Sequence, residues 1–285
     1  MVNPLESILR LDDLNDRNAV AMLIESNAAG KVAYYASHIR GMIVMHDNSN
    51  VTVDTGLCSE TFNCVVASHF SGHKVDFEVT RTIDHFVRKR LPFAWWISSF
   101  SAPENLGDVL TRAGLHFSEK DVGMAALLKD VAIPEPLPKN FQIHAVNNAR
   151  EMENFANVLD TLFDPKDTEL KKYYHMVASL NMRQERPMHL FVGHFMNKPI
   201  CCSVLFLGSG VAGIYDIGTK PEARRKGYGT IMTLHALNFA REMGYHVATL
   251  QASTDGIELY KKLGFQEICE FHVYNNKDLL HRKKF

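Results

Sequence analysis

The run Arg224-Arg225-Lys226-Gly227-Tyr228-Gly229 constrains this chain more than any other. It follows a strand-like stretch, 211–219, and precedes a helix-like stretch, 230–243. Two glycines let the backbone turn tightly and approach a ligand closely. A helix beginning there directs unpaired N–H groups and the positive end of its dipole back at the loop. Such a terminus binds phosphate, and the flanking basic residues add charge. The loop lacks a Gly-Lys-Ser/Thr ending and does not read Gly-x-Gly-x-x-Gly, so it is neither a P-loop nor a Rossmann turn.

Downstream comes a strand-length apolar run, 246–251. Thr254 or Asp255 can then cap a short helix. Ile257, Tyr260 and Leu263 share one face of it. Gly264 suits its C-terminal exit, and Phe265 opens a last strand toward Tyr274. Upstream, 141–145 reads as a strand. Next comes a helix over 149–163, with Met152, Phe155, Val158 and Leu159 on one face. A second helix spans 168–182. Strands 189–195 and 199–207 are joined by Met196-Asn197-Lys198, and Gly208-Ser209-Gly210 is another turn. Antiparallel strands therefore precede a β-α-β unit.

This arrangement resembles the GCN5-related N-acetyltransferase (GNAT) family over roughly residues 141–275. Arg224, Gly227 and Gly229 stand in register with its Arg/Gln-x-x-Gly-x-Gly/Ala loop. Leu259, Tyr260, Gly264 and Phe265 match its Leu-Tyr-x-x-x-Gly-Phe segment. Ser253 departs from the Asn often found before that helix, and can make a similar, shorter hydrogen bond. The resemblance implies an α/β fold, a mixed and strongly twisted sheet with helices on both faces. In that fold, strands 211–219 and 246–251 splay apart and the pantetheine arm of acetyl-CoA slots between them. It also implies acetyl transfer from acetyl-CoA to an amine of a small molecule or peptide, by direct attack on the thioester, with no metal.

Residue by residue, the resemblance makes Tyr260 the general acid for the departing thiolate. The amide of Ile217 would be the donor to the thioester carbonyl, and Thr219 would pair with pantetheine. The amides of Arg225, Lys226, Gly227, Tyr228, Gly229 and Thr230 would hold the pyrophosphate, with Arg224 shaping the loop. These positions are counted back from Arg224, so a β-bulge would shift them by one. Asp216 lies where a carboxylate could act as base through a water, but strand alternation leaves its direction open.

With 285 residues, the chain suits one large or two ordinary domains. Its net charge of −1 argues against a general nucleic-acid or membrane-surface binder. The five cysteines show no framework spacing, and Cys201-Cys202 read as buried thiols. Residues 1–11 carry no apolar signal core, and no run reaches membrane-span length. The expectation is a soluble cytoplasmic protein. Cys64, His69 and His73 lack a fourth ligand at any typical spacing, so no metal is expected. The absence of Gly-x-Ser-x-Gly argues against a serine hydrolase.

The alternating prolines of Ile133-Pro134-Glu135-Pro136-Leu137-Pro138 favour an extended linker. They divide the chain into 1–130, a linker over 131–140, and 141–285. The halves share an element order. In the first, 61–69 is strand-like, 75–90 amphipathic and 94–98 strand-like; a short helix over 104–110 leads to Gly114 and a final strand. Gly114 aligns with Gly264 at an offset of 150 residues, as a duplication would place it. The segment Pro92-Phe93-x-Trp95-Trp96 also resembles the first half of bacterial two-domain acetyltransferases.

The first half carries His69-Phe70-Ser71-Gly72-His73-Lys74 where the phosphate loop should be, and Leu110 where Tyr260 should be. It therefore reads as a degenerate copy that supports the second half or shapes its cleft. Trp95 and Trp96 alternate, one toward a core and one toward the domain interface. Tyr173-Tyr174-His175 is a candidate wall for the acceptor, and His281-Arg282-Lys283-Lys284 a basic, disordered tail. The expected partners are acetyl-CoA and an amine, in a monomer or homodimer. The other reading is a non-catalytic acyl-CoA-binding or regulatory protein.

Overall fold

In the computed structural model, which describes residues 13–282 apart from 48 and 181–185, eleven strands form one mixed sheet. The first element is helix α1, Arg17–Ala36, opened by Asp16, whose carboxylate accepts from the amide of Ala19 at 3.0 Å. Strands β1 (Ile43–His46), β2 (Val51–Asp54) and β3 (Cys64–Val66) follow. Helix α2 (Val75–Lys89), β4 (Ala94–Ser98), α3 (Leu106–Arg112) and β5 (His116–Leu127) complete the first half. The second half runs β6 (Phe141–Ala145), α4 (Ala149–Leu159), α5 (Leu170–Ala178), β7 (Met188–Phe195), β8 (Lys198–Gly208) and β9 (Val211–Thr219). It continues through α6 (Tyr228–Glu242), β10 (Val247–Ala252), α7 (Ile257–Lys262), β11 (Gln266–Asn275) and α8 (Lys277–Arg282).

The strand order is β1-β2-β3-β4-β11-β5-β10-β9-β8-β7-β6. It is nearly symmetric about the β11–β5 pair, with four strands beyond β11 and five beyond β5. On one side β3 lies parallel to β4; on the other β9 lies parallel to β10. The repeat seen in the sequence is thus a repeat of strand–helix–strand–helix–strand units, but their last strands are exchanged. β11 pairs with β4 of the first half, and β5 pairs with β10 of the second. The sheet runs unbroken across the linker. Arg241 of α6 fastens the start of that linker by donating to the carbonyls of Leu128 and Val131, both at 2.7 Å.

Alternation along the strands sends side chains to two faces. On one face α1, α4 and α5 cover the sheet; Phe155, Val158 and Leu170 pack there with Tyr35, and Ile24 packs against Ala125 and Phe271. On the other, α6 covers Met124, Ala212 and Ala248, while α2 and α3 cover Phe93, Trp95 and Tyr274. Trp95 is fully buried, its indole N–H donating to Ser68 Oγ at 2.9 Å, and Trp96 turns to the α1 side as alternation requires.

Helix α1 is absent from the sequence expectations. It buries the polar Glu25 and Asn27 and exposes Met22, so it shows no clean apolar stripe. Asn27 ties it to the second half: its amide donates to the carbonyls of Gly208 (2.8 Å), Val211 (3.2 Å) and Phe206 (3.3 Å), and accepts from Tyr215 Oη at 2.6 Å. The expected strand 61–69 shrinks to Cys64–Val66. The preceding turn is held irregular by Asn63, whose side chain bonds the carbonyls of Leu57 and Pro92 and the amide of Thr55. Helix α4 ends at Leu159 and gives way to a single 3₁₀ turn, Asp160–Leu162. The helix expected over 168–182 is described as Leu170–Ala178, and 181–182 lie outside the described residues. The tail expected at 281–284 begins inside α8, and 283–285 lie outside the described residues. Among the described residues no helix is long and apolar enough to cross a membrane.

Candidate active site

Two neighbouring strands part company at the centre of the sheet. β9 and β10 pair in parallel only at Ala212 with Ala248 and Gly213 with Thr249. Beyond those pairs β10 follows β5 as far as Ala252, whereas β9 follows β8 as far as Thr219. From Ile214 onward a gap opens between them. β9 is also bulged there. Cys202 faces Gly218 and Val204 faces Tyr215, so Asp216 and Ile217 together oppose Ser203. Asp216 takes φ 48°, which produces the extra turn of the strand.

β9 leads into the basic loop. Arg225 has φ 59° and Gly227 has φ 81°, so the chain doubles back before α6. Arg224 does not point outward as a free cation: its Nε donates to the carbonyl of Thr219 at 3.1 Å and pins the loop to the end of β9. Lys226 donates to the carbonyl of Glu222 at 3.1 Å. The first helical bond of α6 runs from the amide of Ile231 to Gly227 at 3.0 Å. The amides of Tyr228, Gly229 and Thr230 precede it and have no intrahelical acceptor. Above them space is open. A Cβ on Gly229 would meet only Thr219 Oγ1, at 3.8 Å, and one on Gly227 would meet nothing within 4 Å. Tyr228 is turned aside, stacked on Phe141 at 5.0 Å. Helix terminus, open cradle and charge fit a phosphate.

Tyr260 stands on α7 beside the gap. Its ring packs edge-on against Phe265, with centroids 5.9 Å apart, and closes over Gly256. Burial pushes its phenol up to about 12, so it is a proton donor at neutral pH. Ser253 lies at the turn before α7, where its carbonyl accepts from the amide of Gly256 at 2.8 Å.

The gap opens into a cavity of ≈ 950 Å³ on the face covered by α1. Asp216, Ile217, Ser253 and Tyr260 line it at the gap, and both halves of the chain supply the rest. From the first half come Glu25 and Lys31 of α1, Trp96 of β4, and Glu119 and Asp121 of β5. Asp216, the candidate base, is ion-paired to Lys31, 3.1 Å from Oδ2, and Lys31 also sits 5.2 Å above the Tyr215 ring. Of the candidate acceptor wall, Tyr173 and Tyr174 are buried and line a side pocket, whereas His175 is exposed. His69 bonds Glu25 at 2.7 Å.

Sequence reasoning missed Lys31, Glu119 and Asp121. All three belong to the half that had lost its motifs, and strand exchange is what carries the carboxylates of β5 to this site. A second polar cluster was also missed: His144, Glu151 and His194 hold donor atoms within 4.8 Å of one another on β6, α4 and β7, away from the cavity. Burial raises Glu151, but hydrogen bonds from His144 and Asn154 outweigh it and leave its carboxyl below the ordinary range.

Comparison with known proteins bears on the same region. Residues 154–265 match the acetyltransferase (GNAT) family model. A stretch of 79 residues is 35% identical to the uncharacterized N-acetyltransferase CgeE of Bacillus subtilis (strain 168), covering 26% of this chain and 30% of that relative. The fold as a whole is similar to a GCN5-related N-acetyltransferase from Kribbella flavida (TM-score 0.68, 17% identity, 89% of this chain and 96% of that one). It is similar also to one from Sphaerobacter thermophilus (TM-score 0.58, 13% identity, 96% and 93%). A tandem GNAT protein from the clavulanic acid biosynthesis pathway aligns over 94% of this chain and 96% of its own, with TM-score 0.56 and 10% identity.

Proposed function

We propose that this chain, whose residues 154–265 match the GNAT family model, transfers the acetyl group of acetyl-CoA to an amine, with the donor site in residues 141–285. One observation carries the reading. The gap between β9 and β10 joins two different environments, the open amide terminus of α6 with its basic loop on one face and a cavity lined by a protonated tyrosine on the other. A long thioester with a phosphorylated end fits such a passage through a sheet.

In this reading the amides from Arg225 to Thr230 hold the pyrophosphate, Gly227 and Gly229 keep the space above them clear, and Arg224 supports the loop. Thr219 and Ser253 flank the pantetheine arm. The bulge at Asp216 turns the amide of Ile217 out of register and offers it to the thioester carbonyl. The free amine attacks the carbonyl carbon, so a C–N bond forms and the C–S bond breaks. The thiolate takes the phenolic proton of Tyr260, and the surplus proton on nitrogen restores the phenol, directly or through water. Asp216, ion-paired to Lys31, holds the bulge in place. Tyr260 and the loop are both intact, which favours an enzyme over a non-catalytic acyl-CoA binder. β5 covers the free edge of β10 within the same chain, so one chain suffices for the site.

The test is calorimetric titration of acetyl-CoA into the wild-type protein and into Gly229→Val. Saturable binding by the first and its loss in the second are expected. A folded wild type that binds no acetyl-CoA would refute the reading.

A further inference from the structure

Side chains from three elements converge at the free edge of the second half. β6 is the end strand of the sheet, and it pairs with β7 so that His144 lies opposite Val192 and Gln142 opposite His194. His144 and His194 are thus diagonal neighbours on one face, with ring centroids 4.5 Å apart. Helix α4 covers that face, and its N-cap at Asn148 puts Glu151 in the first turn. The Glu151 carboxylate bridges the rings: Oε1 lies 3.2 Å from His144 Nδ1 and Oε2 lies 3.5 Å from His194 Nε2. One donor atom from each of the three residues fits within 4.8 Å of the others.

Hydrogen bonding alone does not satisfy this group. Asn154 directs its side-chain amide at both Glu151 Oε2 (3.3 Å) and His194 Nε2 (3.4 Å). A neutral His194 that accepts there carries its proton on Nδ1. That atom is buried and has no hydrogen bond of ordinary geometry among the described residues, although the Val192 carbonyl is beside it. With the proton on Nε2 instead, two donors would face each other and the buried Nδ1 lone pair would go unused. Turning the Asn154 amide over would set its oxygen against the Glu151 carboxylate. His194 is only 5% exposed, so bulk water does not relieve either state. The first tautomer is the one a metal-bound imidazole takes: Nε2 coordinates while Nδ1–H faces a backbone carbonyl.

The spacing is that of a coordination sphere. Zinc bonds of about 2.0–2.1 Å to nitrogen and about 2.0–2.2 Å to oxygen put neighbouring ligands of a tetrahedron about 3.3–3.5 Å apart. The two carboxylate–imidazole edges, 3.2 and 3.5 Å, already match. The imidazole–imidazole edge closes by a swing of His144, which is exposed on the end strand. Two nitrogens and a carboxylate suit a borderline divalent metal, whereas calcium and magnesium take oxygen ligands.

We infer that His144, Glu151 and His194 form a zinc site, with three protein ligands and an open position for water, that fastens β6 to β7 and to the start of α4. The site is separate from the cavity and does not rest on the acetyl-transfer reading.

The test is calorimetric titration of Zn²⁺ into untagged, chelator-treated, full-length protein. One Zn²⁺ per chain with a Kd below about 10 μM is expected, and saturating Zn²⁺ should raise the melting temperature. His144→Ala and Glu151→Gln should each weaken binding by at least ~100-fold, more than the loss of a group that only orients a ligand. His272→Ala, at an exposed histidine 3.6 Å from Glu270, should leave it unchanged. His144 is exposed on the end strand, so its variant serves if changes at buried His194 prevent folding. Millimolar Mg²⁺ should not compete. A wild type that binds Zn²⁺ more weakly than this would overturn the inference. So would binding that survives in both His144→Ala and Glu151→Gln, as exposed Cys58 or scattered surface histidines would give.

Discussion

Gly229→Ala should separate the affinity of the phosphate loop from the stability of the protein. Gly229 is the second residue of α6, and its φ does not lie in the left-handed region. An added Cβ would meet only Thr219 Oγ1, at an ordinary 3.8 Å. The free protein therefore has no steric reason to keep glycine there. Replacing a helical glycine by alanine is worth up to about 0.5–1 kcal/mol in the folded state, less near a helix end. The melting temperature should hold or rise slightly. The methyl group would instead occupy the space in which a pyrophosphate oxygen must approach the amides of Tyr228, Gly229 and Thr230. One hydrogen bond to a charged group is worth about 1.5–3 kcal/mol, so the Kd for acetyl-CoA should rise about 10- to 150-fold. Calorimetry with acetyl-CoA, and with S-acetylpantetheine as a ligand without pyrophosphate, reads this directly. The shorter ligand should be indifferent to the substitution. An unchanged Kd for acetyl-CoA, or equal losses for both ligands, would refute the assignment of the loop. Gly227→Ala is the contrast: at φ 81° any side chain is strained, so about 1–2 kcal/mol of stability should go with it despite the open space around it.

Tyr260→Phe should lower kcat by about 10²-fold or more while leaving the Kd for acetyl-CoA within a factor of two; an equal loss in both would make the residue structural. Because burial pushes Tyr260 to about 12, wild-type kcat should show no alkaline decline near the ordinary tyrosine value, and a limb there that disappears in Tyr260→Phe would contradict its environment. A fragment spanning 131–285 lacks β5, which pairs with both β10 and β11; it should be insoluble or unfolded by circular dichroism, and a soluble fragment that binds acetyl-CoA would contradict the strand exchange. Asn27→Ala removes the partner of three carbonyls and of the Tyr215 hydroxyl; a loss of about 2–4 kcal/mol in urea denaturation is expected, and a change under about 0.5 kcal/mol would show that α1 is not held there.

Much of the second half was legible because its elements announce themselves locally. The loop at 224–229, the Tyr260 helix and the strands on either side follow from glycine placement and apolar runs, and each stands within a residue or two of its expected position; the cap expected from Thr254 or Asp255 is not made, because α7 starts after Gly256 with no side chain capping it. The α/β mixed sheet with helices on both faces is what the resemblance to the GNAT family implies, and the structure has it. What was not legible depends on contacts distant in the chain. Helix α1 buries Glu25 and Asn27, whose partners lie far along the chain, and exposes Met22, so its period is blurred. The exchange of β5 and β11 leaves the repeat unchanged, because the repeat specifies the elements and not which copy each strand joins. Asp216 gets its partner from Lys31, 185 positions away. Glu119 and Asp121 read as the polar start of an ordinary strand until β5 is placed beside β10.

The most direct test of the account is thiol release from acetyl-CoA in the presence of a panel of primary amines, with the product weighed by mass spectrometry, in wild type and Tyr260→Phe side by side. The account predicts stoichiometric formation of CoA and an N-acetyl amine by the wild type, and strongly reduced turnover with intact acetyl-CoA binding in the variant. A wild type that binds acetyl-CoA yet acetylates none of the amines would contradict the claim that this passage through the sheet is a catalytic site.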